Sequence, residues 1–215
     1  MKFVALYSTG KDSVLALQRM VSQGHEPVAL LTMFNQEAQR SWFHGVTDDL
    51  LDEIANSLKI PIIRSVCTGD NYIEEQERCL IEARASGAEA AVFGDIDIEE
   101  HAQWNRARSA AAQLECIMPL WQQSRTALVD EFIGLGYRAL IKAVDLSCLD
   151  ESFLGKELDT RTVAEMVSRG VDACGENGEY HTLVFAGPLF SYPIAVSLGE
   201  TVNFKTHAAI DIYLS

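Results

Sequence analysis

A short polar loop near the start of the chain has the composition of a phosphate-binding site. It reads Ser8-Thr9-Gly10-Lys11-Asp12-Ser13 and follows the apolar run Phe3 to Tyr7. Gly10 lets the backbone approach a phosphate closely, and Lys11 adds a full positive charge. The serine hydroxyls can donate hydrogen bonds, and Asp12 can bind Mg²⁺ through oxygen. The loop therefore predicts a site for nucleotide phosphates and a magnesium ion.

The spacing of this loop is not that of a Walker A motif. Ala5 stands where Walker A has its first glycine, and Asp12 stands where it has serine or threonine. The alternative without a ligand is an ordinary helix start in which Ser8 or Thr9 is the N-cap. Position after a strand and before a helix favours the phosphate site.

A second polar segment lies far downstream and is rich in glycine and acid. Its carboxylates, Glu176 and Glu179, are three residues apart, and His181 follows closely. The neighbouring residues that complete the predicted site are Gly175, Asn177, Gly178 and Tyr180. Such a segment can activate an amine by general-base catalysis or orient an ammonium ion. The alternative is a polar turn that enters a strand.

Three further positions are candidates because they follow predicted strands. Gly94 and Asp95 end the fourth strand and could contact ribose or Mg²⁺, or form a plain turn. Met33 ends the second strand and could border adenine, or could equally pack in the hydrophobic core. His44 lies in the next loop and could contact a phosphate or the acceptor, or be an exposed loop residue.

The segments that would position these residues alternate between strand and helix patterns. Strands are expected at 3–7, 27–34, 60–66, 90–93 and 116–118, and helices at 14–21, 49–58, 72–85 and 99–114. This alternation predicts an open parallel sheet with helices on both faces. After Trp121 the pattern changes: a helix is expected at 126–135 and a strand at 137–144, followed by a loop-rich stretch with many glycines and by short strands. We therefore expect a nucleotide-binding domain at 1–125 and a small α+β acceptor-binding domain at 126–215.

The composition excludes several classes of function. Lys plus Arg is 17 and Asp plus Glu is 31, a net charge of −14 that disfavours nucleic acid as a partner. The five cysteines form no CxxC pair, which argues against a zinc ribbon or a dithiol redox motif. No apolar run has the length of a signal-peptide core or a membrane span, so we expect a cytoplasmic protein.

The first loop resembles the PP-loop of the N-type ATP pyrophosphatases, usually Ser-Gly-Gly-Lys-Asp-Ser. Thr9 replaces the first glycine of that pattern. The resemblance implies ATP and Mg²⁺ as cofactors. The loop residues, together with the candidates Met33, His44, Gly94 and Asp95 at or after strand ends, are then expected around the nucleotide. It also implies cleavage between the α and β phosphates, with adenylation of a carboxyl or carbonyl oxygen.

Together the two motifs make the chain resemble the diphthine–ammonia ligase family. Its downstream loop is like Gly-Glu-Gly-Gly-Glu-Tyr-Glu-Thr, against Gly175 to Thr182 here, where Asn177 replaces a glycine and His181 replaces the last glutamate. The stretch Asp150 to Leu158 is similar to the family's Asn-Glu-Ser-Trp-Leu-Gly-Arg-Glu-Leu. An aromatic–His pair, Phe43-His44, follows the second strand as in the family. The two substitutions look like those of a divergent branch.

The resemblance implies roles for individual residues. The acceptor would be a carboxylate, diphthine on elongation factor 2 in the family's case, and free ammonia would supply the nitrogen. The catalytic residues would be Lys11, Asp12, Glu176, Glu179 and His181, with Asp12 on the metal. Acceptor contacts would come from Gly155 and from the segment 175–180. A homodimer is compatible with the sequence.

Two other readings remain open. A related loop occurs in enzymes that thiolate tRNA or modify it to lysidine, although the acidic composition and the lack of a basic patch argue against tRNA. The second alternative is a non-catalytic module that binds ATP or AMP. The pair Glu176 and Glu179 argues against it.

Overall fold

A computed structural model of the chain describes residues 1–42 and 44–215. These residues form two compact units. The first unit contains Met1–Ser8 and Asp12–Gln122, and the second contains Thr9–Lys11 and Gln123–Ser215. Three residues of the predicted phosphate loop are therefore grouped with the second unit.

The first unit alternates strands and helices, as the sequence predicts. Its strands are β1 (Lys2–Leu6), β2 (Glu26–Asn35), β3 (Arg40–Ser41), β4 (Ile62–Cys67), β5 (Ala90–Val92) and β6 (Glu115–Ile117). The helices between them are α1 (Lys11–Ser22), α2 (Asp48–Leu58), α3 (Tyr72–Ala85) and α4 (Glu99–Ala111). Helix α1 begins three residues before the expected start at 14, so Lys11 and Asp12 lie in its first turn.

The sheet of this unit is parallel apart from one short strand. β1 pairs in parallel with β2 and with β5, β2 with β4, and β5 with β6. This confirms the predicted open parallel sheet. The central strands are mostly apolar between their ends, since both of their faces are covered, and Phe3, Val4 and Leu30 are fully buried.

The sequence did not predict the antiparallel strand β3. It pairs Arg40 and Ser41 with the last two residues of β2. The turn between them is closed by Asn35, whose side-chain oxygen accepts hydrogen bonds from the N–H groups of Glu37 and Ala38. A two-residue strand has no periodicity to detect, so only this Asn-led turn could have signalled it.

The strand order explains where a ligand should bind in the first unit. From β1 the chain adds β2 and then β4 on one side, and later adds β5 and β6 on the other. The order therefore reverses between β1 and β5. Ligands of open α/β sheets bind outside the carboxyl ends of strands at such a switch point. Ser8 follows β1 and Gly94 follows β5.

The second unit is an antiparallel sheet with two helices, the α+β part expected from the sequence. Its elements are α5 (Arg125–Gly134), β7 (Arg138–Asp145), a 3₁₀ turn at Glu151–Phe153, α6 (Thr160–Ser168), β8 (Tyr180–Ala186), β9 (Val196–Asn203) and β10 (His207–Leu214). The strands lie in the order β8-β7-β10-β9.

Helix α6 corrects the expectation of a loop-rich stretch between β7 and β8. Asp159 is its N-cap and accepts a hydrogen bond from the N–H of Thr162 at 2.7 Å. Val163 and Met166 are buried on one face. The glycines on either side of this short helix hid its pattern in the sequence, and the Asp-x-x-Thr start was the available signal.

In the part of the chain that the structure describes, no helix is both long enough and apolar enough to cross a membrane.

Candidate active site

The first unit presents a helix N-terminus at the end of its central strand. β1 ends at Leu6, and Asp12 lies in the first turn of α1. The hydroxyl of Ser8 donates a hydrogen bond to that of Ser13 across the turn, at 3.3 Å. The first turn of a helix carries unpaired N–H groups and a partial positive charge. This arrangement can bind an anion.

Gly94 is the point at which β5 meets this turn. A Cβ at position 94 would lie 2.8 Å from the carbonyl carbon of Asp12 and 2.8 Å from the nitrogen of Ser13. Both atoms belong to the backbone, so they cannot move aside cheaply. Glycine at this position therefore lets the end of β5 and the first turn of α1 approach each other.

Asp95 is held by two side chains from helix α4. The amide of Asn105 donates a hydrogen bond to its carboxylate at 2.6 Å, and Nδ1 of His101 lies 3.3 Å from the other oxygen. Burial raises the pKa of Asp95; the bond from Asn105 and the nearby His101 oppose that rise, and the negative charge of Asp12 adds to it. The sequence reasoning missed Asn105, and its position one helical turn after His101 was the signal.

Asp12 and Asp95 together fit a magnesium ion in part. Among the described residues, no group of three or more His, Cys, Asp or Glu side chains is arranged to hold a metal. Mg²⁺ next to a nucleotide is commonly bound by one or two carboxylates, water and phosphate oxygens. Asp12 and Asp95, whose charges interact, could supply only the carboxylate part of that donor set. The metal role of Asp12 therefore stays a prediction.

The second unit contains Thr9, Gly10 and Lys11. Thr9 is fully buried, and its φ of 73° is in the left-handed region where a β-branched residue is strained. Its carbonyl accepts a hydrogen bond from the N–H of Val184 on β8 at 2.9 Å. Its hydroxyl is buried without a hydrogen-bond partner among the described residues. A strained turn with an unsatisfied buried hydroxyl is common at ligand sites, and a phosphate oxygen could accept that hydrogen bond.

Lys11 is buried and held from both its backbone and its side chain. The backbone N–H donates to the hydroxyl of Thr182 on β8 at 3.1 Å. The ammonium group donates to the carbonyl of Cys174 and lies 5.1 Å from the centre of the Tyr180 ring. A buried ammonium needs such partners to remain charged.

An ion pair stabilises the start of the acid-rich segment around Glu176 and Glu179. Asp172 pairs with Arg125 at 3.0 Å and accepts the backbone N–H of Glu176 at 2.8 Å. The carboxylate of Glu179 accepts the backbone N–H and the side-chain amide of Asn177, at 3.0 and 3.1 Å. Both glutamate side chains are partly exposed, so a ligand can reach them.

Three of the predicted acceptor residues have structural reasons for their identity. Gly175 and Gly178 have φ of 63° and 88°, in the region that favours glycine. Gly155 has φ of 75°, and a Cβ there would lie 2.6 Å from the side chain of Leu198. Their contacts with an acceptor stay predictions, as do those of Tyr180 and His181 on β8.

The predicted adenine-side residues occupy different environments. Met33 lies in the buried core cluster of the first unit, together with Leu31 and Phe93. His44 is partly exposed in the loop after β3. Phe43, the aromatic half of the pair with His44, lies outside the described residues. A nucleotide contact by Met33 or His44 stays a prediction.

Four residues that organise the second unit's part of the site were not among the sequence candidates. They are Arg125, Asp172, Cys174 and Thr182. Thr182 could have been suspected, since it lies two residues from Tyr180 and therefore on the same face of a strand. The other three act through backbone groups or a distant partner, which sequence spacing does not reveal.

Models of two protein domains match separate parts of this chain. The model of the diphthamide synthase N-terminal domain matches residues 1–108, and that of its C-terminal domain matches residues 124–214. The diphthine–ammonia ligase of Danio rerio is 28% identical over 228 residues, which cover 94% of this chain and 89% of that protein. The Bos taurus protein of the same name is 28% identical over 243 residues, covering 97% and 86%.

One solved structure is a more distant match. It is a predicted subunit of tRNA methyltransferase from Methanocaldococcus jannaschii, with a TM-score of 0.46 and 14% sequence identity, over 86% of this chain and 95% of that one. A match at this level carries no information about function. The two domain models cover most of the sequence, and the chain therefore belongs to the diphthamide synthase family of ATP-dependent ligases.

Proposed function

We propose that this ligase adenylates an acceptor carboxylate with ATP, releases pyrophosphate and then transfers ammonia to form an amide. A carboxylate oxygen attacks the α phosphorus, and the bond between that phosphorus and the bridging oxygen to the β phosphate breaks. Ammonia next attacks the acyl carbon, and the carbon–oxygen bond to AMP breaks. The nitrogen finally loses a proton to a base.

The observation that carries this proposal is the loop that follows β1. It combines a helix N-terminus, a buried lysine and a close contact with Gly94 at the switch point of the sheet. In the proposal the loop and Lys11 bind the β and γ phosphates, and the α phosphorus remains open to the acceptor. Donors fixed in advance where charge develops are commonly the largest contribution to the rate.

The carboxylates of the second unit supply the acceptor chemistry in this proposal. Glu176 and Glu179 are partly exposed, and hydrogen bonds fix the positions of the Glu176 backbone and the Glu179 carboxylate. Together with His181 they would orient the acceptor and take the proton from the ammonium intermediate. Asp12 and Asp95 would hold Mg²⁺, which when bound would neutralise charge on the departing pyrophosphate.

The acceptor in this proposal is diphthine on elongation factor 2. The support is the name shared by the relatives from Danio rerio and Bos taurus. The substitutions Asn177 and His181 fall in the segment proposed to meet the acceptor, so the nucleotide chemistry is the part that the residues support most directly.

The test is product analysis with ATP, ammonium chloride and elongation factor 2 that carries diphthine. We expect equal amounts of AMP, pyrophosphate and amidated elongation factor, the last measured by peptide mass spectrometry. Elongation factor without diphthine is the control and should yield none of the three. Formation of ADP and phosphate would contradict the adenylation step.

A further inference from the structure

The phosphate loop is hydrogen-bonded to strand β8, which lies about 170 residues later in the chain. The N–H of Val184 donates to the carbonyl of Thr9, and the N–H of Lys11 donates to the hydroxyl of Thr182, across 171 residues. Thr9, Lys11, Thr182 and Val184 are all buried. Strand β8 therefore fixes the backbone on both sides of Gly10.

The side chain of Lys11 is held by the same strand and by the loop that precedes it. Its ammonium group donates to the Cys174 carbonyl and faces the Tyr180 ring. An ammonium has three N–H donors, so a bond to one carbonyl is compatible with bonds to phosphate oxygens. The carbonyl and the ring hold the charge in place before any nucleotide binds.

Tyr180 also fixes the carbonyl that Lys11 uses. Its hydroxyl donates to the carbonyl of Ala173 at 2.5 Å. Its ring packs against Gly175, where a Cβ would lie 2.6 Å from a ring carbon. With a hydrogen bond on one side of Cys174 and ring packing on the other, the hydroxyl and ring set the position of the 173–175 backbone.

We propose that Thr182 and Tyr180 are positioning residues for Lys11, a role that rests on the proposed nucleotide site. Neither needs to touch ATP. Thr182 fixes the backbone of the lysine, and Tyr180 fixes the side chain through its ring and through the Cys174 carbonyl. A small displacement of a binding group weakens binding, so loss of either contact should lower the affinity for the phosphates.

The experiment measures binding of α,β-methylene-ATP with Mg²⁺ by titration calorimetry. Thr182→Val removes the acceptor of the Lys11 N–H at nearly constant volume, and Tyr180→Phe removes only the hydroxyl. We expect each to weaken binding about 5- to 10-fold, the usual effect of one lost hydrogen bond to a charged or buried group. Thr182→Ser, which keeps the hydroxyl, should restore binding to within about twofold.

A double-mutant cycle with Lys11→Met separates positioning from a structural role. We expect the effect of Tyr180→Phe on binding to disappear in the Lys11→Met background, because Tyr180 acts through that side chain. Thr182→Val should keep its effect there, because methionine retains the backbone N–H that Thr182 accepts. Thr201→Val on the exposed strand β9 is the matched control and should leave binding unchanged. A loss for Tyr180→Phe that is equal in both backgrounds, or unchanged binding in both single variants, would overturn the proposal.

This cycle is independent of the proposed ligase reaction. If wild-type protein binds the analogue but forms no AMP with the acceptor, the ligase proposal fails and the cycle remains interpretable. Two variants are used because either could fold poorly, and circular dichroism identifies a variant that does.

Discussion

Gly94 lies against the backbone of Asp12, and a Cβ at position 94 would come within 2.8 Å of the Asp12 carbonyl carbon. We therefore expect Gly94→Ala to push the end of β5 away from the first turn of α1. Overpacking of this kind costs about 1–3 kcal/mol of stability. The misplaced turn should also lower kcat/KM for ATP at least about 10-fold, measured by pyrophosphate release.

Gly134→Ala is the matched control for Gly94→Ala. Gly134 ends helix α5, and nothing lies within 4 Å of the Cβ that it would gain. Alanine there should leave pyrophosphate release unchanged and raise the free energy of unfolding by at most about 1 kcal/mol. Wild-type activity of Gly94→Ala would show that the close approach does not matter for ATP.

Thr9 carries backbone strain that a glycine would remove. A φ of 73° is costly for threonine, and its buried hydroxyl has no hydrogen-bond partner among the described residues. We expect Thr9→Gly to raise the free energy of unfolding by about 1 kcal/mol, because relief of strain outweighs the added entropy of the unfolded chain. Urea unfolding measures the change.

Thr201→Gly tests whether this effect is specific to the turn. Thr201 is an exposed residue of strand β9, where glycine should lower stability by about 0.5–1 kcal/mol. If both substitutions destabilise equally, Thr9 does not have a left-handed backbone in solution.

The pair Glu157–Arg138 gives the second unit a pH-dependent contribution. Two hydrogen bonds of 2.8 Å join the carboxylate to the guanidinium, and they hold the pKa of Glu157 below its usual value. The contribution is therefore fully present above the unfolded pKa of about 4.3 and is lost as pH falls through the lower folded pKa. Both side chains are more than a third exposed, so screening limits the effect to about 1 kcal/mol or less.

Glu157→Gln should accordingly lower the unfolding free energy at pH 7 and have a smaller effect at pH 3. Glu200→Gln, at an exposed position on β9, is the control and should change stability little at either pH. A deficit of Glu157→Gln that is unchanged or larger at pH 3 would contradict the assigned ion pair.

Lys11 gives the most severe single prediction for activity. Its ammonium is buried and would meet the phosphates directly in the proposed function. Lys11→Met keeps the apolar bulk and removes the charge, so we expect pyrophosphate release to fall at least about 100-fold. Thermal unfolding should show that the variant folds. Unchanged turnover would show that the loop takes no part in the reaction.

The first half of the fold was predictable from local pattern. The buried run that became β1, the helical stripe Val14–Leu17 and the apolar run of β2 each have a period that a sequence shows. The phosphate loop could be located because it lies between two such elements. The side chains at strand ends, Gly94 and Asp95, followed from the rule for parallel sheets.

The remaining features depend on contacts between distant residues. The bond between Lys11 and Thr182 spans 171 residues, and no local pattern announces it. Helix α6 has nine residues, which is too few for a clear helical period. At position 9 the sequence shows only that threonine replaces a glycine. The strained backbone and the buried hydroxyl of Thr9 become visible only in the three-dimensional structure.

Oxygen transfer from the acceptor tests the adenylation chemistry most directly. With the carboxylate of diphthine labelled with ¹⁸O, attack on the α phosphorus predicts one labelled oxygen in the AMP that is released. Label in inorganic phosphate, with ADP as the other product, would mean attack on the γ phosphorus and would contradict the account.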